Sequence, residues 1–371
     1  MEQSCPARGS KVTHVVAVFL GLAFLFTILR SMIRIALINS HYRDLVARLT
    51  GRAVYTAARL RIGHKRDTGT VHSVLLWFFP AYILSLIMVY FVGAMAAFTL
   101  LYWGTHAVDT WPKALLASGS ALNTLGFATP TTLIGQWLAV PEGALGLGIV
   151  VFLFTFIPSY QTVIRSREDK TAWLYVRVGD KPTGVAVLEW CQRTRITGNM
   201  REVWEAWEDW FRMLGDTHSV LPMLSISPSV QSGQSWVLAA AAVLDAAALA
   251  ASSIDTQDIE SAKICIKTGT RALSAISAVL GRPNSDAEPE RSCSSKRKYE
   301  AARAHLRSAG LLLRSAADEA TQWLEFVSLR GQYEQALLFV AQRTFTPIDG
   351  VLTDMSDSWA SGIRDVHADE S

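Results

Sequence analysis

Long apolar runs before residue 165 constrain the fold of this chain more than any other sequence feature. The runs Val12–Leu29, Val74–Tyr102 and Ala144–Ile164 contain no Asp, Glu, Lys or Arg. A helix needs roughly 18 apolar residues to cross the hydrocarbon core of a bilayer. Since hydrophobic residues make up 50% of the chain and are concentrated here, the sequence predicts three transmembrane helices.

The first run is predicted to be a retained anchor, within a segment 1–38, rather than a cleaved signal peptide. No small-x-small cleavage site follows it, and Arg30 and Arg34 continue at helical spacing. Long basic side chains at a helix end can reach back to the membrane interface. The run is therefore expected to stay in the membrane.

Basic residues predict the orientation of the chain. Arginine and lysine outnumber acidic residues in the interfacial linker 39–70, whereas Lys113 is the single basic residue between the second and third runs. Loops rich in arginine and lysine remain on the cytoplasmic side. We expect a multi-pass plasma-membrane protein with its N-terminus outside and its C-terminal domain in the cytoplasm.

The connection between the second and third runs contains an apolar segment that is too short to span a membrane. Pro112 suits the first turn of a helix, where its missing N–H would have no partner. Ala114–Leu122 is then a short helix that enters the membrane part of the way and stops. An ordinary outer loop is the alternative, but exposed loops are usually polar and this one is apolar at its centre.

The residues after this helix, Thr124-Leu125-Gly126-Phe127-Ala128, resemble the Thr-Val-Gly-Tyr-Gly filter of potassium channels, including bacterial potassium-channel-like proteins. In that family, backbone carbonyls from four copies of the loop replace the hydration shell of the ion. The resemblance covers roughly residues 71–170 and implies a pore domain over 71–167. It implies a pore helix made of Ala114, Leu115, Leu116, Ala117, Ser118, Gly119, Ser120, Ala121 and Leu122 and an ion filter made of Thr124, Leu125, Gly126, Phe127 and Ala128.

One departure from the family pattern bears on selectivity more than on the pore. The second filter glycine is replaced by Ala128. An alanine held at positive φ costs on the order of 1 kcal/mol in each subunit. In the third run, Gly146, Gly148 and Pro158 are candidates for a gating hinge, because small residues and proline allow an inner helix to bend.

The second half of the chain is predicted to be a cytoplasmic helical domain, 168–345, with a polar linker near 282–298 and a polar tail, 346–371. Trp204, Trp207 and Trp210 recur at helical spacing and are expected to form a packed core rather than a ligand box. Ser235–Ile254 is nearly long enough to be a fourth span. Asp245 at its centre would be costly in lipid, so a buried bundle helix is expected.

Several classes of protein are excluded by what the sequence lacks. It has no enzyme motif, so no catalytic residue and no enzymatic activity are expected. The 4 cysteines are scattered and no histidines share metal-ligand spacing, so neither a metal site nor a cofactor is expected. The net charge of +3 is too small to indicate a nucleic acid partner.

The sequence therefore predicts an all-α membrane protein: three transmembrane helices, a re-entrant pore loop between the second and third, and a cytoplasmic helical domain. The leading hypothesis is a subunit of a homotetrameric potassium-like cation channel, with permeant K⁺ in the filter and the lipid bilayer as its surroundings. The alternative is a degenerate, poorly selective or non-conducting pore-like scaffold or sensor. The gating stimulus, and any cytoplasmic regulator, are left open by the sequence.

Overall fold

A computed structural model describes residues 8–36, 44–63, 68–195, 199–282, 296–315 and 319–346. Within these ranges the chain forms fourteen α-helices and no β-strand, and an isolated bridge joins Ile254 to Leu313. The prediction of an all-helical protein is confirmed. The chain divides into two units, Met1–Gly63 with Trp77–Thr162, and His64–Leu76 with Val163–Ser371.

The first unit contains α1 (Arg8–Ala36), α2 (Leu45–Ile62), α4 (Phe78–Gly104), α5 (Trp111–Leu122) and the first part of α6 (Leu133–Val178). Helices α1 and α4 pack closely, since a Cβ on Gly21 would lie only 2.9 Å from the carbonyl oxygen of Ala97. The basic linker predicted for 39–70 contains a regular helix, α2. Asp44 caps it by accepting a hydrogen bond from the amide of Ala47 at 3.0 Å.

The second apolar run is interrupted at Trp77, between α3 (Thr68–Leu76) and α4, and not at Pro80. Pro80 lies in the first turn of α4, where a backbone N–H has no intrahelical acceptor. The proline therefore removes no helical hydrogen bond. Pro80 and Gly93 both lie within α4, so neither of them ends the helix.

Helix α6 is much longer than the third apolar run. It extends over 46 residues, Leu133–Val178, and continues through Pro141 and Pro158. A helix of this length measures about 69 Å, more than twice the roughly 30 Å hydrocarbon core of a bilayer. The predicted limits Ala144–Ile164 therefore mark only the most apolar part of a continuous helix.

Four helices are long and apolar enough to cross a membrane: Val12–Ile35, Val71–Gly104, Leu133–Val178 and Trp236–Ser253. The fourth differs from the others, because 94% of it is buried by the rest of the protein. Its burial agrees with the expectation of a helix inside a bundle. Which of these helices cross a bilayer, and in which direction, stays a prediction.

The second unit is a helical bundle around α10 (Trp236–Ser253). Its other helices are the end of α6, α3, α7 (Gly184–Arg193), α8 (Arg201–His218), α9 (Met223–Ile226), α11 (Ile259–Val279), α12 (Lys296–Ser308), α13 (Glu319–Gly331) and α14 (Glu334–Arg343). Trp204, Trp207 and Trp210 are buried in its core, as predicted. Asp245 is also buried, and its carboxylate lies 3.3 Å from Arg330.

Two predicted segments lie largely outside the described residues. Of the linker near 282–298, residues 283–295 are not described, and Lys296 already begins α12. The end of that linker is therefore helical, because Tyr299, Ala302 and Leu306 supply a buried face for α12. The polar tail 346–371 is described only at Thr346.

Candidate functional site

Helix α5, over the residues predicted as a pore helix, lies along α4 and runs in the opposite direction. At its beginning, the ring of Trp111 packs edge-on against Trp103 near the carboxyl end of α4, with ring centroids 5.9 Å apart. Further along, the Ser118 hydroxyl lies 3.0 Å from the carbonyl oxygen of Met95. Met95 precedes the end of α4 by about 14 Å at a rise of about 1.5 Å per residue. The chain thus penetrates well along the length of α4.

After α5 the chain returns to its starting level beside the end of α4. The hydroxyl of Thr132 donates to the carbonyl oxygen of Ala107 at 3.0 Å, just beyond the end of α4. Helix α6 begins at the next residue. The segment Trp111–Thr132 therefore begins and ends beside the same end of α4 and folds back on itself between these points.

The end of α5 is capped by a left-handed residue. Thr124 has φ +54°, its amide donates to Ala121 at 3.0 Å, and the amide of Leu125 donates to Ser120 at 2.9 Å. These two bonds are the Schellman pattern that commonly ends helices, although glycine usually occupies the left-handed position. The turn directs the chain away from α5 at Thr124.

The backbone beyond Thr124 differs from the expectation at Ala128. Gly126 has φ +74°, whereas Leu125, Phe127 and Ala128 do not adopt positive φ. The strain expected for Ala128 is therefore not incurred. The physical reason is a local hydrogen bond: the Ala128 amide donates to the Ser120 hydroxyl at 3.1 Å, in an ordinary backbone conformation.

The segment Asn123–Phe127, which we call the loop tip, is exposed in the single chain. The side chains of Leu125 and Phe127 are each 64% exposed, and a Cβ on Gly126 would meet no atom within 4 Å. The loop tip is also non-helical, since α5 ends at Leu122 and α6 begins at Leu133. Its residues are therefore exposed beside α4, although the amides of Asn123, Thr124 and Leu125 are hydrogen-bonded to carbonyl oxygens of α5.

The three hinge candidates have different surroundings. A Cβ on Gly146 would lie 1.9 Å from the carbonyl oxygen of Leu122, so this glycine allows α6 to pack against the end of α5. Gly148 has no such neighbour within 4 Å. Pro158 is exposed inside the continuous helix α6. Whether any of them acts as a hinge stays a prediction.

Glu142 is a residue of this region that the sequence interpretation missed. Its side chain is fully buried, with Oε2 2.7 Å from the Tyr102 hydroxyl and Oε1 2.5 Å from the Ser118 hydroxyl. It thus connects α4, α5 and α6. The predicted third run began at Ala144 and so excluded it. An acidic residue between apolar neighbours in a candidate span is itself a functional signal.

In the described ranges, no group of three or more His, Cys, Asp and Glu side chains is arranged to hold a metal ion. Comparison of the chain with known protein families, with curated proteins and with solved structures finds no match. The fold and the site together define the class of the protein. Its described residues form an all-helical structure with helices long and apolar enough to span a membrane. Between two of these helices, α4 and α6, the short helix α5 and the loop after it fold back.

Proposed function

We propose that this chain is a subunit of a potassium-like cation channel in which the loop tip lines a water-filled path. The observation that carries the proposal is the position of the loop tip. It follows a helix whose Ser118 contacts Met95, deep along α4, and yet its residues are non-helical and exposed. Helix α4 belongs to a segment long and apolar enough to span a bilayer.

Lipid cannot satisfy such a backbone. Irregular backbone at membrane depth is tolerated only where it is covered by protein or lines a water-filled cavity. A ring of identical subunits around an axis meets both conditions, because neighbours cover the sides of the loop tip and water fills the centre. Closed rotational symmetry is usual for homo-oligomers, and the resemblance to potassium channels specifies four subunits.

The chemistry of the loop tip favours cations. Thr124, Leu125, Gly126 and Phe127 would supply backbone carbonyl oxygens, which can replace water around K⁺. Helix α5 ends at Leu122, directly before the loop tip. The carboxyl end of a helix carries partial negative charge, which stabilises a nearby cation. The helical domain 168–345 would then lie on the cytoplasmic side of a plasma membrane, as the basic residues of 39–70 predict.

A second candidate follows from Ala128, whose backbone does not adopt the positive φ available to glycine at the corresponding family position. The outer end of the loop then differs from a potassium filter. The consequence would be a poorly selective or silent pore, with the helical bundle acting as scaffold or sensor. This candidate retains the re-entrant loop and the oligomer but not the selectivity.

The test is the current through purified, demonstrably tetrameric protein in planar bilayers, with K⁺ on one side and Na⁺ on the other. A reversal potential near the potassium limit, abolished in Gly126→Ala, supports the channel, since alanine at φ +74° is strained. Gly331→Ala is the matched control, because a Cβ there meets no atom within 4 Å. Current without preference supports the second candidate. Silence in the native protein and in Ala128→Gly contradicts conduction.

A further inference from the structure

Four polar groups meet behind the re-entrant loop, and their hydrogen bonds require more protons than their hydroxyls supply. Tyr102 contacts Glu142 Oε2 at 2.7 Å, Ser118 contacts Glu142 Oε1 at 2.5 Å, and Ser118 also contacts the Met95 carbonyl oxygen at 3.0 Å. Each contact needs one proton between its two oxygens. Tyr102 and Ser118 carry one hydroxyl proton each.

An ionised Glu142 therefore leaves one contact without a proton. A carboxylate and a carbonyl are both acceptors, so Ser118 could donate to only one of them. The other contact would bring two acceptor oxygens face to face. The Met95 carbonyl oxygen also accepts from the Thr99 hydroxyl at 2.7 Å. That proton lies between Thr99 and Met95, so it does not separate the oxygens of Met95 and Ser118.

A single added proton on Glu142 Oε1 satisfies all three contacts. Glu142 then donates to Ser118, Ser118 donates to the Met95 carbonyl, and Tyr102 donates to Oε2. Charge supports the same assignment. The side chains that act on the Glu142 carboxyl within the described part of the chain are Ser118 and Tyr102, and neither is a cation. A buried carboxylate without a cation is costly in a low-dielectric interior.

Asp44 provides an internal contrast in the same unit. Its Oδ2 accepts from the Ser31 hydroxyl at 2.6 Å and from the Ala47 amide at 3.0 Å, while Ser31 contacts the Tyr90 hydroxyl at 2.8 Å. Tyr90 can donate to Ser31 and Ser31 to Asp44. With Asp44 as a carboxylate, each of these three contacts has one proton between its two atoms. The contacts around Glu142 need one proton more than the hydroxyls supply, and this difference distinguishes the two carboxyl groups.

We propose that Glu142 is a protonated carboxylic acid and is the positioning residue that holds the re-entrant loop, through Ser118, against α4 and α6. When rising pH removes this proton to water, Ser118 can no longer serve both acceptors, and the attachment of α5 weakens. Only the consequence for conduction rests on the proposed function. The protonation of Glu142 and its effect on the fold can be measured without any current.

The experiment is infrared difference spectroscopy on the full-length protein in detergent. The spectrum of Glu142→Gln is subtracted from that of the native protein at neutral pH, and Asp44→Asn is the matched control. The expected result is one carbonyl band of a protonated carboxylic acid that disappears in Glu142→Gln and persists in Asp44→Asn. The same band should shift in Tyr102→Phe, which removes the hydrogen bond to Oε2.

A second readout is the pH profile of thermal unfolding. A group that is protonated only in the folded state contributes stability that is lost as pH rises. The unfolding midpoint of the native protein should therefore fall, relative to that of Glu142→Gln, as pH rises above the ordinary glutamate pKa of about 4.3, because the unfolded chain releases this proton there while the folded chain keeps it. Glu142→Gln keeps a neutral donor at this position. If Glu142→Gln does not fold, the band shift in Tyr102→Phe still shows whether Glu142 is protonated in the folded protein.

The outcomes separate this inference from the channel proposal. A Glu142 carboxylic acid band in a protein that conducts no ions supports the inference and counts against the channel. Conduction with no such band in the native protein, and no shift in Tyr102→Phe, overturns the inference and leaves the channel standing. An unfolding profile that is the same in the native protein and Glu142→Gln also overturns it.

Discussion

The Nη1 atom of Arg167 lies 3.5 Å from Nε2 of His218, and both side chains are fully buried. On the other side of the ring, Nδ1 lies 2.9 Å from the Thr217 hydroxyl. Burial, and then the positive charge of Arg167, hold the pKa of His218 well below its usual 6.5. A neutral imidazole fits these contacts, because Nε2 can accept from the guanidinium while Nδ1–H donates to Thr217.

We predict that His218 makes the second unit sensitive to acid. The unfolded chain binds a proton on this histidine below pH 6.5 while the folded chain does not, so stability falls as pH falls below that value. The slope should reach about 1.4 kcal/mol per pH unit. His218→Gln should reduce this slope, as measured by thermal midpoints from pH 7 to 5. His305→Gln, at a side chain 53% exposed, is the control. Equal slopes in the native protein and His218→Gln would contradict the assignment.

The buried ion pair in the bundle should be far more sensitive to mutation than a surface pair. Asp245 Oδ1 lies 2.5 Å from the Tyr333 hydroxyl and 3.3 Å from Arg330. Asp245→Ala leaves Arg330 without this partner in the core, which typically costs about 3–5 kcal/mol. Asp209→Ala, at a side chain 71% exposed in its pair with Arg212, should change stability by less than about 1 kcal/mol. Tryptophan fluorescence during unfolding measures both, and equal effects would contradict the placement of Asp245.

Two glycines of α6 provide a matched test of packing against α5. Gly146→Ala places a methyl group 1.9 Å from the Leu122 carbonyl oxygen, whereas Gly148→Ala meets nothing within 4 Å. We expect Gly146→Ala to destabilise the first unit by about 1–3 kcal/mol, typical of overpacking. Gly148→Ala should leave the thermal midpoint in detergent unchanged or slightly higher, because alanine favours helix. The same loss in both variants would show that α6 does not approach α5 at Gly146.

The two cysteines that the structure describes in the bundle, Cys191 and Cys265, should be inert. Burial raises the pKa of Cys191 to about 12, and Cys265 is likewise fully buried. Only the thiolate reacts readily, so a maleimide at neutral pH should label these cysteines after denaturation and not before. Mass spectrometry of labelled peptides measures this. Rapid labelling of Cys191 in folded protein would contradict its burial on the core-facing side of α7.

Much of the helical layout could be predicted from the sequence. Apolar runs are long enough to define α1, α4 and α6, and Pro112 with the short apolar segment indicates α5. The burial of α10 followed from Asp245, which lipid would not tolerate. The exact break between α3 and α4 could not be predicted, because Pro80 is harmless in a first turn and no other breaker lies at Trp77.

The site was less predictable because its key contacts join distant parts of the chain. Glu142 meets residues 40 and 24 positions away, Tyr102 and Ser118, and no local pattern relates them. The conformation of Ala128 depends on a hydrogen bond to Ser120, eight positions earlier. A comparison with one family motif could not reveal that bond. It could suggest only that replacement of the glycine would matter.

Water access to the loop tip tests the central claim most directly. In a background without the 4 native cysteines, Leu125→Cys and Met88→Cys introduce thiols at side chains that are 64% and 62% exposed in the single chain. Met88 lies on α4 and is expected to face lipid or protein. With the protein in intact membranes, a small membrane-impermeant thiol reagent should label Leu125→Cys and spare Met88→Cys. Labelling of neither variant, in protein shown to be folded, would contradict a water-filled path along the loop tip.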